Sequence, residues 1–180
     1  MAAAVTRGRS RGGAHRVVIA LGSNLGDRLD NLQGAVDALF DSPGLRFVAV
    51  SPVFETSPVG GPDQPDYLNA VLAADTTLPA RAVLERCQGV EASFGRTRTQ
   101  RWGPRTLDLD IIVYGDDVSR DPELTIPHPR AHERAFVLAP WHEVDPAASI
   151  PGHGPVTSLL AAVSLEGVHR WDGGALHAPA

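Results

Sequence analysis

Strand, helix, strand, strand, helix, strand is the order in which regular elements fall between residues 17 and 114, and that order predicts an α+β protein with a ferredoxin-like βαββαβ core. Two further observations point the same way. Short runs rich in β-branched and aromatic residues alternate with two stretches whose apolar residues recur at helical spacing. No internal repeat and no linker divides the 180 residues, a length that one domain accommodates with a good core. The segments after residue 114 predict a C-terminal extension of short helices and strands.

Ordered structure is expected to begin near Arg16, where VVIALG reads as a strand that breaks at Gly22. GSNLGDR turns the chain, and Asn24 or Asp27 can cap a helix over roughly Arg28 to Asp41, with Leu29, Leu32, Val36 and Leu39 along one face. LRFVAVSPVF reads as the second strand. Beyond it, three prolines and the pair Gly60 and Gly61 forbid a regular element, so Glu55 to Asp66 is predicted as a long ordered loop, a kind of segment that usually carries function. Tyr67 to Thr76 reads as a strand with Tyr67, Asn69 and Val71 on one side. Leu78 to Gly95 is helical by pattern, and Asp108 to Tyr114 is a buried strand. LTIPHPRAHERAFVLAPWHEVDP and residues 155–163 are expected to add peripheral turns and short helices.

Composition narrows the function classes. No stretch approaches the roughly 20 apolar residues of a membrane span. The single Cys87 excludes an internal disulfide and a cysteine-rich zinc site, favours a reducing, cytoplasmic setting, and reads as a packed small residue. All 16 basic side chains are arginines, so a Walker-A lysine and a lysine Schiff base are excluded. Residues 1–16 hold four arginines and no acid and are expected to be a disordered basic extension. The remainder carries 12 basic against 21 acidic side chains, a net charge of −9, which argues against general nucleic-acid binding. Residues 17–172 are expected to form the single domain and 173–180 a flexible tail.

The most informative stretch is RWGPRTLDLDIIVYG. Asp108 and Asp110 are two residues apart in a strand, so their carboxylates leave one face together and require a cation. Arg96, Arg98, Arg101 and Arg105 precede them in a loop containing Gly95, Gly103 and Pro104, and guanidinium forks match phosphate oxygens. A carboxylate pair beside arginines suggests Mg²⁺ and a polyphosphate, because Mg²⁺ prefers one or two carboxylates, phosphate oxygens and water. His128, held between Pro127 and Pro129, can donate to a phosphate; Gln88 and Glu91 share a helix face leading toward the arginine loop. Tyr67, Asn69, Phe54 and Phe136 are candidates for recognising a flat heterocycle, by stacking and by an amide that both donates and accepts.

ALGSNLGD, SPVGGPDQPDYLNAV, GRTRTQRWGPRTLDLDIIVYG and LTIPHPRAHERAFVLAP together resemble the 6-hydroxymethyl-7,8-dihydropterin pyrophosphokinases of folate synthesis, from about Val17 to Pro146 in unbroken order. The resemblance implies a ferredoxin-like fold and transfer of the terminal two phosphates of ATP, as co-substrate, to the pterin hydroxymethyl group with release of AMP. It implies that Asp108 and Asp110 are ligands of two Mg²⁺ ions, and that these two with Arg96 and Arg105 are the catalytic set. It assigns Gln88, Glu91, Arg98, Trp102, Ile111, His128 and Arg134 to the nucleotide side. Thr56, Ser57, Val59, Gly60, Tyr67, Asn69 and Phe136 fall to the pterin pocket. Small-molecule substrates, a monomer, and no nucleic-acid or membrane partner are the accompanying expectations. Pro129 and Thr99 depart from the family pattern at positions where an aromatic and a basic residue can occur. The competing readings are an RNA-binding ferredoxin-like module and a metal-dependent glycosyl or nucleotidyl transferase using the Asp-x-Asp pair.

Overall fold

The computed structural model describes residues 13–58, 60–61, 63–95 and 106–180. In chain order the elements are β1 (His15–Ser23), α1 (Arg28–Phe40), β2 (Leu45–Val50), β3 (Phe54–Thr56), β4 (Tyr67–Thr76), α2 (Ala80–Ser93) and β5 (Asp108–Tyr114). The C-terminal part adds β6 (Ser119–Asp121), β7 (Leu124–Ile126), a 3-10 turn (Ala131–Glu133), α3 (Ala135–Val144), β8 (Ser149–Ile150), β9 (Gly154–Pro155), α4 (Val156–Ala162) and β10 (Val168–Arg170). The main sheet runs β10, β3, β4, β1, β5, with β2 also paired to β4, and all its pairings are antiparallel. The central order β2, β4, β1, β5 is that of a ferredoxin-like core, as the sequence predicts.

Helix α1 forms where expected. Asp27 caps it by accepting the Asp30 N–H, and Leu32, Ala35, Val36 and Leu39 fill one stripe. Helix α2 buries Val83, Cys87 and Val90 beside it. Together they cover one face of the sheet, against Val17, Ile19, Leu21, Leu109 and Ile111. The Cys87 thiol is pushed up to about 12 by burial first and by the nearby Glu91 and Asp110 charges second, so it stays a neutral packing group.

Four differences from the sequence reading have physical causes. First, LRFVAVSPVF is two strands, because residues 51–53 leave the ladder; the Ser51 hydroxyl accepts the Val71 N–H there. Glu55 and Thr56 consequently belong to β3, and the loop is confined to 57–66. Second, β1 starts at His15 and passes through Gly22 to Ser23. Arg16 stands opposite Asp75, and its Nε reaches that buried carboxylate at 2.6 Å. Third, α3 is not peripheral: it is apolar nearly all round, and with Val156 of α4 it packs on Val18, Val71, Ile112 and Val113. The sheet is thus covered on both faces. Fourth, where the sequence predicts a flexible tail, residues 173–180 lie along α1. Leu176 is buried, the His177 and Ala180 N–H groups donate to Gln33 Oε1 and Asp37 Oδ1, and Gln33 Nε2 donates to the His177 carbonyl.

Candidate active site

Three strands build the floor of the site row by row. Asp108 on β5 stands opposite Gly22 on β1, and Gly22 stands opposite Asn69 on β4. The next row is Asp110, Ala20 and Val71. Adjacent strands lie about 4.8 Å apart, so Asp108 and Asn69 are separated by roughly 10 Å across a floor of small residues. Alternation then directs Leu109 and Ile111 into the core beneath the helices, leaving Asp108, Asp110 and Ile112 on the open face. A register shift between Val18 and Ile19 resets the alternation, so that Ile112 and Val113 both join the cluster under α3.

Over this floor lies a cleft of about 660 Å³. Thr56, Ser57, Tyr67, Asn69, Asp108, Asp110, His128, Arg134 and Phe136, all named from sequence, line it together. The first strand reaches it through Ala20 and Gly22, β4 through Tyr67 and Asn69, and the start of α3 through Arg134 and Phe136. The β3–β4 loop is tied down at its far end, since Asn24 Nδ2 donates to Gln64 Oε1 (2.9 Å) and to the Pro65 carbonyl (3.0 Å).

Asn69 is the buried amide of the strand, and its Nδ2 donates to Thr56 Oγ1 at 2.6 Å. Its Oδ1 lies over Gly22: a Cβ placed at Gly22 would be 3.0 Å from that oxygen and 3.5 Å from the Tyr67 ring. Glycine therefore serves here for close approach rather than for unusual backbone angles.

The His128 backbone N–H donates to the Ile112 carbonyl at 2.8 Å, which hangs the side chain beside the carboxylate strand. Its Nδ1 accepts the Arg130 N–H at 3.2 Å, so the ring proton lies on Nε2. Burial first, then Arg134, then Arg130, push the imidazole down to about 4 against the opposing pull of Asp108. The Arg134 guanidinium is 5.4 Å from the Phe136 ring centre; burial draws its pKa below the ordinary arginine value, with Asp110 opposing most strongly.

The lowered histidine value has a stability consequence. Between pH 6.5 and about 4 the unfolded chain takes up a proton on His128 that the folded chain refuses. This contribution is complete above the unfolded value and is lost as pH falls toward the folded one. The urea midpoint of the wild type is expected to fall more steeply between about pH 7 and about pH 4.5 than that of His128→Asn. Parallel slopes would show that the imidazole is not held neutral.

Five of the named residues lie elsewhere. Glu91 is buried beneath β5 and its Oε2 accepts the Leu109 N–H at 3.0 Å, which satisfies an outward-facing donor of an edge strand. Gln88 is exposed on α2, which packs on the opposite face of the sheet. The Ile111 side chain is core, and Gly60 is exposed and outside the cleft lining. Phe54, a candidate for stacking, is also core. Val59, Arg96, Arg98, Trp102 and Arg105 lie outside the described residues. Sequence reasoning missed Gln64, Arg130, Glu133, Ser164, Glu166 and Val168, which also line the cleft. The alternation of Ala20 and Gly22 within an apolar strand was the available signal for the floor.

Among the described residues no three His, Cys, Asp or Glu side chains gather as a metal cluster. Asp108 and Asp110 are thus a two-carboxylate set in an open cleft, which suits Mg²⁺ shared with phosphate and water and does not suit a closed zinc site.

The family model for 7,8-dihydro-6-hydroxymethylpterin-pyrophosphokinase (HPPK) matches residues 18–146. The chain belongs to this family. A Pseudomonas aeruginosa member, 2-amino-4-hydroxy-6-hydroxymethyldihydropteridine pyrophosphokinase, is 43% identical over 158 residues, covering 88% of this chain and 98% of its own. The Mycobacterium bovis protein of the same name is 47% identical over 159 residues, 81% of this chain and 82% of its own. Among solved structures, a Plasmodium falciparum HPPK-DHPS triple mutant with pteroate shares the fold, with a TM-score of 0.67 at 13% identity. That alignment covers 87% of this chain, which spans 46% of the longer fused protein. No helix among the described residues is long and apolar enough to cross a membrane. The family match ends at residue 146, whereas Ser164, Glu166 and Val168 of the cleft wall lie beyond it.

Proposed function

We infer that this protein transfers the terminal pyrophosphoryl group of ATP to the hydroxymethyl group of 6-hydroxymethyl-7,8-dihydropterin in folate biosynthesis. The observation that carries the reading is the row Asp108, Gly22, Asn69: an anionic end suited to a metal–nucleotide complex and an amide end suited to a heterocycle share one cleft floor. Membership of the pyrophosphokinase family supports it.

In the reaction the hydroxymethyl oxygen bonds to the β-phosphorus and its proton passes to solvent, while the bond from that phosphorus to the α,β-bridging oxygen breaks and AMP departs with that oxygen. Asp108 and Asp110 would hold Mg²⁺, two ions in our reading. When bound, Mg²⁺ neutralises phosphate charge and the charge that develops on the departing oxygen. His128 Nε2–H donates to a phosphate oxygen and, being neutral, does so without changing protonation around pH 7. Arg134 supplies a fixed positive charge at the cleft wall. Arg96 and Arg105, with Arg98 and Trp102, are proposed to act on the phosphate side. Tyr67 and Phe136 offer aromatic surface for the pterin, and Asn69 with Thr56 reads its polar edge. Residues 17–172 are proposed as the pyrophosphokinase domain, acting as a cytoplasmic monomer on small molecules.

Product analysis tests the reaction class. With ATP, Mg²⁺ and the reduced pterin alcohol, AMP and a pterin diphosphate are expected in equal amounts. ADP with a pterin monophosphate, or a product retaining the α-phosphate, would replace this reading with another transferase chemistry. The small residue at the floor provides a second check. Gly22→Ala presses on the Asn69 amide oxygen, which must give by a few tenths of an ångström, and KM for the pterin is expected to rise about tenfold with ATP affinity unchanged. Equal loss for both substrates would mean that the floor acts on folding instead.

A further inference from the structure

Residues 164–171 lie beyond the family match, yet they line the pterin side of the cleft and touch the start of the loop that borders it. Val168 pairs with Thr56, whose hydroxyl accepts the Asn69 amide. The Ser57 N–H donates to the Gly167 carbonyl at 3.0 Å, and the Trp171 N–H donates to the Val53 carbonyl at 2.9 Å, so β3 is held immediately before and after its three residues. At the other end of the loop, Arg28 Nη1 donates to the Asp66 carbonyl at 2.9 Å and to Glu55 Oε2 at 2.8 Å. The same guanidinium stands 6.0 Å from the Trp171 ring centre.

From these contacts we infer that the 164–171 segment is a positioning element for the pterin substrate, with Gly167 setting where Ser57 stands. This deepens the pyrophosphokinase reading and rests on it. Gly167 has φ +72, and a Cβ there would lie 2.9 Å from Ser57 Oγ and 3.2 Å from Ser57 Cβ. A side chain at 167 therefore requires the Ser57 hydroxyl to turn away and its Cβ to give by a few tenths of an ångström. The carboxylate end of the floor, on β5, is separated from β3 by β4 and β1, so a shift of Ser57 is not passed to it directly.

The test is steady-state kinetics on the full chain, with each substrate varied in turn. Gly167→Ala is expected to raise KM for the pterin at least fivefold while KM for ATP and kcat stay within about twofold. Adding Ser57→Gly removes both clashing atoms, so the double variant is expected to match Ser57→Gly alone in pterin KM; the left-handed backbone strain at 167 remains and affects stability only. Trp171→Leu leaves the backbone pairing intact and is expected to show the same split at smaller size, which decides the matter if Gly167→Ala does not fold. An unchanged pterin KM, parallel shifts in both KM values, or a double variant without rescue overturns the positioning role. A wild type that forms no AMP from the pterin alcohol overturns the pyrophosphokinase reading itself, so the two failures are distinct.

Discussion

Asp108→Ala and Asp110→Ala are each expected to lower Mg²⁺-dependent AMP formation by at least about 10³-fold, roughly 4 kcal/mol of transition-state stabilisation. Pyrophosphoryl transfer demands little bond-making from protein groups and much charge compensation, so the groups that fix metal against phosphate carry the largest single share. Both carboxylates face the cleft rather than the core under α1 and α2, and their truncation opens no cavity among buried apolar side chains. The melting temperature is therefore expected to move by no more than about 3 °C. Asp110→Asn separates charge from shape: it keeps the volume and is expected to lose nearly as much activity as the alanine. Turnover within tenfold of wild type for all three variants would remove the metal assignment.

The second large effect is expected at the opposite end of the floor. Asn69 is 8% exposed and its Nδ2 donates to Thr56 Oγ1, so Asn69→Ala removes a polar group that reads the substrate and also strips the hydroxyl of its donor. A site built to hydrogen-bond a ligand edge discriminates strongly because its own buried groups are left unmatched when the partner is absent. For the pterin, kcat/KM is expected to fall about 10²- to 10³-fold, with KM for ATP within about twofold and stability lower by about 1–2 kcal/mol. Measuring each KM with the other substrate saturating checks the split. A comparable loss on the ATP side would place Asn69 in the scaffold instead of the pocket.

The fold was legible where spacing and chemistry agreed. The bounds of β4 and β5 follow from alternating or continuous apolar runs that no neighbouring element disturbs, and α1 from a capping aspartate followed by a helical stripe. What escaped was set by partners distant in sequence. Whether the chain leaves a sheet at residues 51–53 depends on the Ser51 hydroxyl taking over a ladder acceptor for Val71, which no local pattern reveals. Helix α3 looked peripheral because a short apolar segment containing Pro140 says nothing about the open sheet face waiting for it.

The same division holds in the cleft. Asp108, Asp110, Asn69 and Tyr67 could be placed on one side of their strands by parity alone. Glu91 could not: its spacing from Gln88 suggests a shared helix face, while the outer edge of β5 draws its carboxylate inward to the Leu109 N–H. Ile111 and Ile112 are adjacent and equally apolar, yet only Ile112 lines the cleft, because parity with Asp110 selects it. The wall at 164–168 comes from a segment without chemical motif, brought to the cleft by β10 pairing with β3 and by the bonds that flank that pairing.

Central to the mechanism is that the β5 carboxylates hold a divalent ion together with the nucleotide. Mn²⁺ binding followed by electron paramagnetic resonance, with the non-cleavable α,β-methylene analogue of ATP, reads that property without turnover. Addition of wild-type protein is expected to deplete the free-Mn²⁺ signal beyond what the nucleotide alone removes, and the Asp108→Asn/Asp110→Asn variant is expected to leave it at the nucleotide-only level. Equal depletion by wild type and variant would show that the metal–nucleotide complex is held elsewhere, and the mechanism built on this row of residues would be wrong.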